Sequence, residues 1–98
     1  MTQPANEPPV RARILVYGRV QGVGFRAFAA RVAVDLRLFG GVRNLPDGRV
    51  ELEAEGQRSV IEALEHQLRI GPAAARVTNI ETEWGTATGQ YSAFEVWY

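Results

Sequence analysis

Between Tyr17 and Phe28 the sequence reads YGRVQGVGFRAF, and within it the apolar pattern changes period, which constrains the fold more than any other feature. Upstream, Ile14, Val16, Gly18 and Val20 share one parity, the pattern of a half-buried strand over Ala12–Val20. Downstream, Phe25, Phe28, Ala29, Val32, Ala33 and Leu36 follow a three-four spacing with Arg26, Arg31 and Asp35 mostly off the stripe, so a helix lying on a sheet is expected. Gly22 and Gly24 make the joint. They permit positive φ and a close backbone approach, while a helix opening at Phe25 or Arg26 points unpaired N–H groups outward. Such a turn cradles anions, and Arg26 adds a charged fork to its dipoles.

The rest of the chain gives that strand and helix their partners. A second strand is expected over Leu38–Asn44, entered through Gly40 and Gly41, and Leu45-Pro46-Asp47-Gly48 then carries tight-turn chemistry. Val50, Leu52 and Ala54 alternate with Glu51, Glu53 and Glu55, which predicts a hairpin strand with one buried and one solvated face. Ser59 and Glu62 have the spacing of a capping box. Val60, Ile61, Leu64 and Leu68 continue a second helix that Gly71-Pro72 ends. Val77, Ile80 and Trp84 mark a fourth strand whose alternation slips between Val77 and Ile80, the sign of a bulge, and Phe94, Val96 and Tyr98 mark a last one. This order predicts an α+β fold, a ferredoxin-like βαββαβ sandwich. An antiparallel or mixed sheet carries two helices on one face and a short C-terminal strand, with the opposite face left partly to solvent. One domain is expected over residues 10–98, behind a flexible tail at residues 1–9, MTQPANEPP, which has neither the apolar core of a signal peptide nor that of an anchor.

Composition narrows the chemistry. The 11 basic residues balance 11 acidic ones to a net charge of zero, so no global positive field exists to hold nucleic acid or an anionic membrane, and any anion site is local. Every basic residue is Arg, which excludes a Walker lysine, a Schiff base and a lysine nucleophile. With no Cys there are no disulfides, zinc fingers, iron–sulfur ligands or cysteine-phosphatase mechanism. The single histidine, His66, falls off the apolar stripe of its helix and reads as solvated. Glu51, Glu53 and Glu55 read as a solvated sheet face rather than a metal or acid/base cluster, and Trp84 and Trp97 as core or edge packing. No apolar run reaches membrane-spanning length, and a cytoplasmic monomer is the expectation for this size.

Two stretches together carry a family likeness. Gly18-Arg19-Val20-Gln21-Gly22-Val23-Gly24-Phe25-Arg26 resembles the signature of the acylphosphatase family, enzymes that hydrolyse carboxyl-phosphate anhydrides. Gly40-Gly41-Val42-Arg43-Asn44, then Asp47-Gly48-Arg49-Val50 and Glu55-Gly56, is similar to that family's second motif in order and spacing, and the likeness runs from about residue 11 to Tyr98. Two departures stand out. Family members usually carry an aromatic residue where Gly41 stands, and often a glycine near Arg37. The first removes a large apolar contact beside the site; the second puts Arg37 into a left-handed conformation at a cost of about 1 kcal/mol.

The resemblance implies that Arg26 binds the phosphoryl group and that Asn44 orients the attacking water. It further implies that the terminal carboxylate of Tyr98 pairs with Arg26. No metal and no cofactor is called for, and the expected partner is a small acyl phosphate. The physics is compatible with those roles. A dianion is satisfied by the N–H groups of Gln21, Gly22, Val23, Gly24, Phe25 and Arg26 plus one guanidinium, without metal. An amide is not a base, but the carbonyl of Asn44 can hold a water in line while its NH₂ faces phosphoryl oxygens. A carboxylate leaving group needs no general acid. Taken singly, a Gly-x-Gly turn is more often a connection, Arg26 a surface arginine and Asn44 turn chemistry; their joint occurrence reverses those readings. An alternative of another class is a noncatalytic anion-binding module that keeps the cradle. A third, an RNA-binding ferredoxin-like domain, lacks paired sheet aromatics in a basic setting.

Overall fold

The alternation around Ile14 and the three-four stripe after Phe25 become a strand and a helix of a computed structural model that describes residues 7–98. The elements are β1 (Pro9–Arg19), α1 (Phe25–Asp35), β2 (Phe39–Asn44), β3 (Val50–Gln57), α2 (Arg58–Ile70), β4 (Arg76–Thr86) and β5 (Phe94–Val96). They build one sheet in the order β4-β1-β3-β2-β5, antiparallel except for the parallel β2·β5 pair. This is the expected α+β arrangement with its added short strand. β1 starts earlier than the alternation implied, because Pro9 already pairs with Gln57. Of the expected tail, residues 1–6 lie outside the described residues. Among the described residues, no helix is long and apolar enough to cross a membrane.

The core lies between the sheet and its two helices. Ile14, Val16, Val42, Leu52 and Ala54 from the strands meet Phe25, Ala29 and Ala33 of α1 and Ile61, Leu64 and Leu68 of α2, all fully buried. At about 25 cal/mol per Å² of apolar area, each large side chain in this layer contributes about 1.5–3 kcal/mol. The bulge is where the sequence placed it: Tyr17 faces Asn79 but Gly18 faces Val77, which leaves Thr78 as the extra residue. Gly18 has φ 122°, and a Cβ there would overlap the Arg76 carbonyl. Arg37 is left-handed at φ 59°, as its place after the first helix implied.

Two expectations are overturned. The open face of β3 is not solvated: Glu51, Glu53 and Glu55 are only 3%, 8% and 4% exposed. Long arginine side chains from the neighbouring strands cover Glu51 and Glu53, diagonally from Arg11 and Arg13 of β1 and from directly opposite by Arg43 of β2. Arg13 and Arg43 both pair with Glu51, and the Nε of Arg11 donates to Glu53 at 2.7 Å. Glu55 accepts from the amide and hydroxyl of Thr88 at 2.8 and 2.7 Å and from the Gly89 amide at 3.0 Å, which holds the β4–β5 loop on the face. Burial alone raises both carboxyl pKa values, but donors from Arg43 and Arg13 on Glu51, and from Thr88 and Gly89 on Glu55, outweigh it and hold both below the ordinary Glu range.

The second correction concerns Ser59. β3 runs directly into α2, whose N-cap is Gln57 with no side-chain cap, so Ser59 lies inside the first turn. Its amide and hydroxyl instead donate to the carboxylate of Glu7 at 3.3 and 3.0 Å, and a residue distant in sequence satisfies the exposed amide. His66 is exposed as expected.

Candidate active site

Val20 is buried where β1 ends, and the chain then turns through two left-handed glycines, Gly22 at φ 73° and Gly24 at φ 77°, before α1 begins. Gly24 is the N-cap. It has no side chain to cap with, no acidic residue stands in the first turn, and its carbonyl accepts the Phe28 amide at 3.1 Å. The first amides of α1 therefore keep both their donor capacity and the positive end of the helix dipole. A Cβ at Gly22 or Gly24 would meet nothing within 4 Å, so the backbone conformation requires these glycines and the space beside them is open. Phe25 drives its ring into the core, at 1% exposure, and fixes where the helix starts.

Arg26 follows on the solvent side of that anchor, half-buried, its guanidinium carbon 5.2 Å from the centroid of the Tyr98 ring. The contact is cation–π; among the described residues Arg26 forms no ion pair, with the Tyr98 carboxylate or any other. The Arg26 charge is thus left available to a ligand.

Asn44 arrives from the other side, as the last residue of β2, paired with Val50 across the hairpin. Its Oδ1 is buried and has no hydrogen-bond partner, the one such side-chain atom among the described residues. An unpaired buried acceptor costs about 1–3 kcal/mol, and a water or ligand donor in the cleft would relieve it. Gly22, Gly24, Phe25, Arg26 and Asn44 line a single open cleft of about 200 Å³, whose remaining walls are Val20, Ala27, Val96 and Tyr98. The start of α1 and the end of β2 meet there, as the two motifs required.

Gln21 and Val23 are outside that lining. The Gln21 side chain turns away and donates through Nε2 to the Leu45 carbonyl at 2.7 Å and the Arg49 carbonyl at 2.9 Å. It thereby ties the glycine turn to the β2–β3 turn that follows Asn44. Val23 packs against the core. Sequence reasoning did not anticipate the Gln21 tie, nor Val20, Ala27 and Val96 as cleft walls. The only sequence signal for the walls was apolar character at positions flanking the glycine turn and on the last strand. Among the described residues no group of three or more His, Asp or Glu side chains is placed to hold a metal ion.

The arrangement sets a helix N-terminus, a guanidinium without an ion pair among the described residues and a carboxamide around one open cleft, a donor set chemically suited to an oxyanion. Comparison with known proteins agrees with it. Residues 12–96 match the acylphosphatase family model. An acylphosphatase from Anaeromyxobacter dehalogenans is 54% identical over 87 residues, covering 89% of this chain and 94% of the relative. Among solved structures, an acylphosphatase from Bacillus subtilis superposes with a TM-score of 0.88 at 36% identity, covering 91% of this chain and 99% of its own. One from Coxiella burnetii gives 0.84 at 40% identity, covering 98% and 99%.

Proposed function

The chain belongs to the acylphosphatase family, and from that premise we propose a division of labour within the cleft. The activity is hydrolysis of the carboxyl–phosphate bond of small acyl phosphates to a carboxylate and inorganic phosphate. In the proposed arrangement the α1 amides and Arg26 grip the phosphoryl oxygens. The buried Oδ1 of Asn44 accepts a hydrogen bond from a water and aims its lone pair at phosphorus. The new O–P bond forms as the bond from phosphorus to the acyl oxygen breaks, the carboxylate leaves with the electron pair, and the surplus proton of the water passes to solvent. A carboxylate is stable as an anion at neutral pH, so no acid has to protonate it. Transfer of this loose kind depends on alignment and charge stabilisation, which protein donors supply here without metal.

The observation that carries the reading is the orphaned Asn44 oxygen in the same cleft as Arg26 and the uncapped helix start. The Gln21 side chain enters as a tether and the Val23 side chain packs behind the turn, while the backbone amides of Gln21, Gly22, Val23, Gly24, Phe25 and Arg26 supply the cradle. The same reading includes a monomer in the cytoplasm that binds neither nucleic acid nor membrane, and the zero net charge supports the last two of these. The deciding assay is turnover of benzoyl phosphate in the presence of a chelator. Arg26→Ala is expected to abolish both turnover and inhibition by phosphate, and Asn44→Ala to abolish turnover while phosphate still binds. Substantial activity in the Asn44 variant would refute water positioning. Phosphate binding by the native chain without turnover would identify a noncatalytic anion-binding module instead.

A further inference from the structure

Beyond β5 the chain keeps the strand's alternation along the edge of β2, and its side chains fall on opposite sides of the sheet. Val96 and Tyr98 line the cleft. Trp97 points the other way and lies flat on the backbone of Gly41. A Cβ on Gly41 would overlap the six-membered ring of Trp97, so the indole occupies the volume a side chain would take. The ring is held on its other sides as well. The Tyr91 ring packs against it at 5.8 Å, the Arg43 guanidinium lies 5.7 Å from its centroid, and the Trp97 amide donates to the Val42 carbonyl at 2.7 Å. Arg43 is itself held by Glu51 at 2.6 Å.

Tyr98, by contrast, is fully exposed, yet its ring is what Arg26 rests against. An exposed ring has little packing of its own to fix it, so its position is set by the segment that carries it. We propose that Trp97, seated on Gly41, is a positioning residue for the reaction: it anchors the segment that holds the Tyr98 ring against Arg26 and so keeps the guanidinium aimed into the cleft. This rests on the phosphoryl-binding role of Arg26 given above. It also gives Gly41 a function, because the absent side chain is the seat.

The chain of action is Gly41 to Trp97 to Tyr98 to Arg26, and interruption at any link has the same consequence. A cation–π contact at an exposed site is of a size that changes affinity by about 2- to 5-fold. Arg26 contacts the phosphoryl group before and during transfer, so a loosened Arg26 weakens binding of both states, and KM rises while kcat stays nearly constant.

The test measures kcat and KM for benzoyl phosphate, the inhibition constant of inorganic phosphate and the melting temperature, for Trp97→Leu, Gly41→Ala, Tyr98→Leu and Trp97→Leu/Tyr98→Leu. The expected result is a rise of about 2- to 5-fold in both KM and the phosphate inhibition constant in each single variant, with kcat within about twofold. The double variant is expected to be no worse than Tyr98→Leu alone, since both remove one contact. Trp97→Phe, which keeps a ring on Gly41, should restore most of the loss. Lowered melting temperature in Trp97→Leu with unchanged KM and phosphate inhibition would overturn the proposal, as would additive effects in the double variant. Should Trp97→Leu fail to fold, Gly41→Ala displaces the same ring and Tyr98→Leu breaks the last link, and normal KM in both would overturn it. Failure of the Arg26 reading is separable: there Arg26→Ala itself would keep turnover and phosphate inhibition.

Discussion

Replacing Gln21 by Leu cuts the tie between the anion cradle and the turn beyond Asn44 while preserving the approximate volume of a half-buried side chain. Two hydrogen bonds are lost, to the carbonyls of Leu45 at 2.7 Å and Arg49 at 2.9 Å. Neither carbonyl is orphaned, because Leu45 still accepts from the Gly48 amide at 3.2 Å and Arg49 from the Leu45 amide at 2.8 Å. The cost is therefore the net value of two bonds, about 0.5–1.5 kcal/mol each, without a desolvation penalty on top. A central figure of about 2 kcal/mol lowers the melting temperature of a domain this size by about 8–16 °C. The kinetic effect is separate. Asn44 and the cradle sit on different segments, and a misplacement of about 1 Å between reacting groups costs up to about 100-fold, so kcat should fall about 10- to 100-fold. The phosphate inhibition constant should move by less than about threefold, since Arg26 and the α1 amides stay on one segment. Steady-state kinetics on benzoyl phosphate with phosphate as inhibitor, read beside thermal unfolding, checks both halves. Unchanged kcat with a lowered melting temperature would refute the reasoning, because the tie would then be packing alone. Equal losses in kcat and phosphate affinity would refute it in the other direction, by showing that the cradle itself had collapsed.

Arg37→Gly is expected to stabilise. Relief of a left-handed arginine is worth about 1–2 kcal/mol and the freer unfolded chain returns about 0.4–1, so a net gain of about 0.5 kcal/mol and a rise of about 2–4 °C should appear in calorimetry with activity unchanged. Acid stability follows from Glu51 and Glu55, whose folded pKa values are depressed. Their contribution is complete above the ordinary Glu value of 4.5 and is lost as pH falls through the folded values. Urea midpoints should accordingly be flat from pH 7 to about 5 and fall below it, and Glu51→Gln should shallow that fall while lowering stability at pH 7. Gly24→Ala places a Cβ at φ 77° without a clash, so it should cost about 1–2 kcal/mol of stability, as chemical denaturation would show, with weakened phosphate inhibition from a disturbed helix start.

The local rules carried much of the fold. The change of period at Gly22–Gly24, the hairpin at Leu45–Gly48 and the slip before Ile80 are properties of neighbouring residues, and elements built on them are legible because strand and helix periods are intrinsic to the backbone. Arg26 stood out for a related reason, since glycine turns and helix starts announce where donors are unpaired, whereas Asn44 read singly as turn chemistry and entered the site only through the family likeness. The Ser59 capping box failed because Glu7, far away in sequence, competed for the same amide. The Glu51, Glu53 and Glu55 face failed because alternation tells which side of a strand a residue takes, not what the adjacent strands lay across it. Sequence by itself determined the order of the elements, the inventory of donors and the absence of lysine and cysteine chemistry. Only the tertiary structure decided that Gln21 turns from the cradle to the hairpin, that Trp97 fills the seat at Gly41 and that the oxygen of Asn44 is left without a partner. Each of those is a choice among partners distant along the chain, and sheet order, not local propensity, makes it.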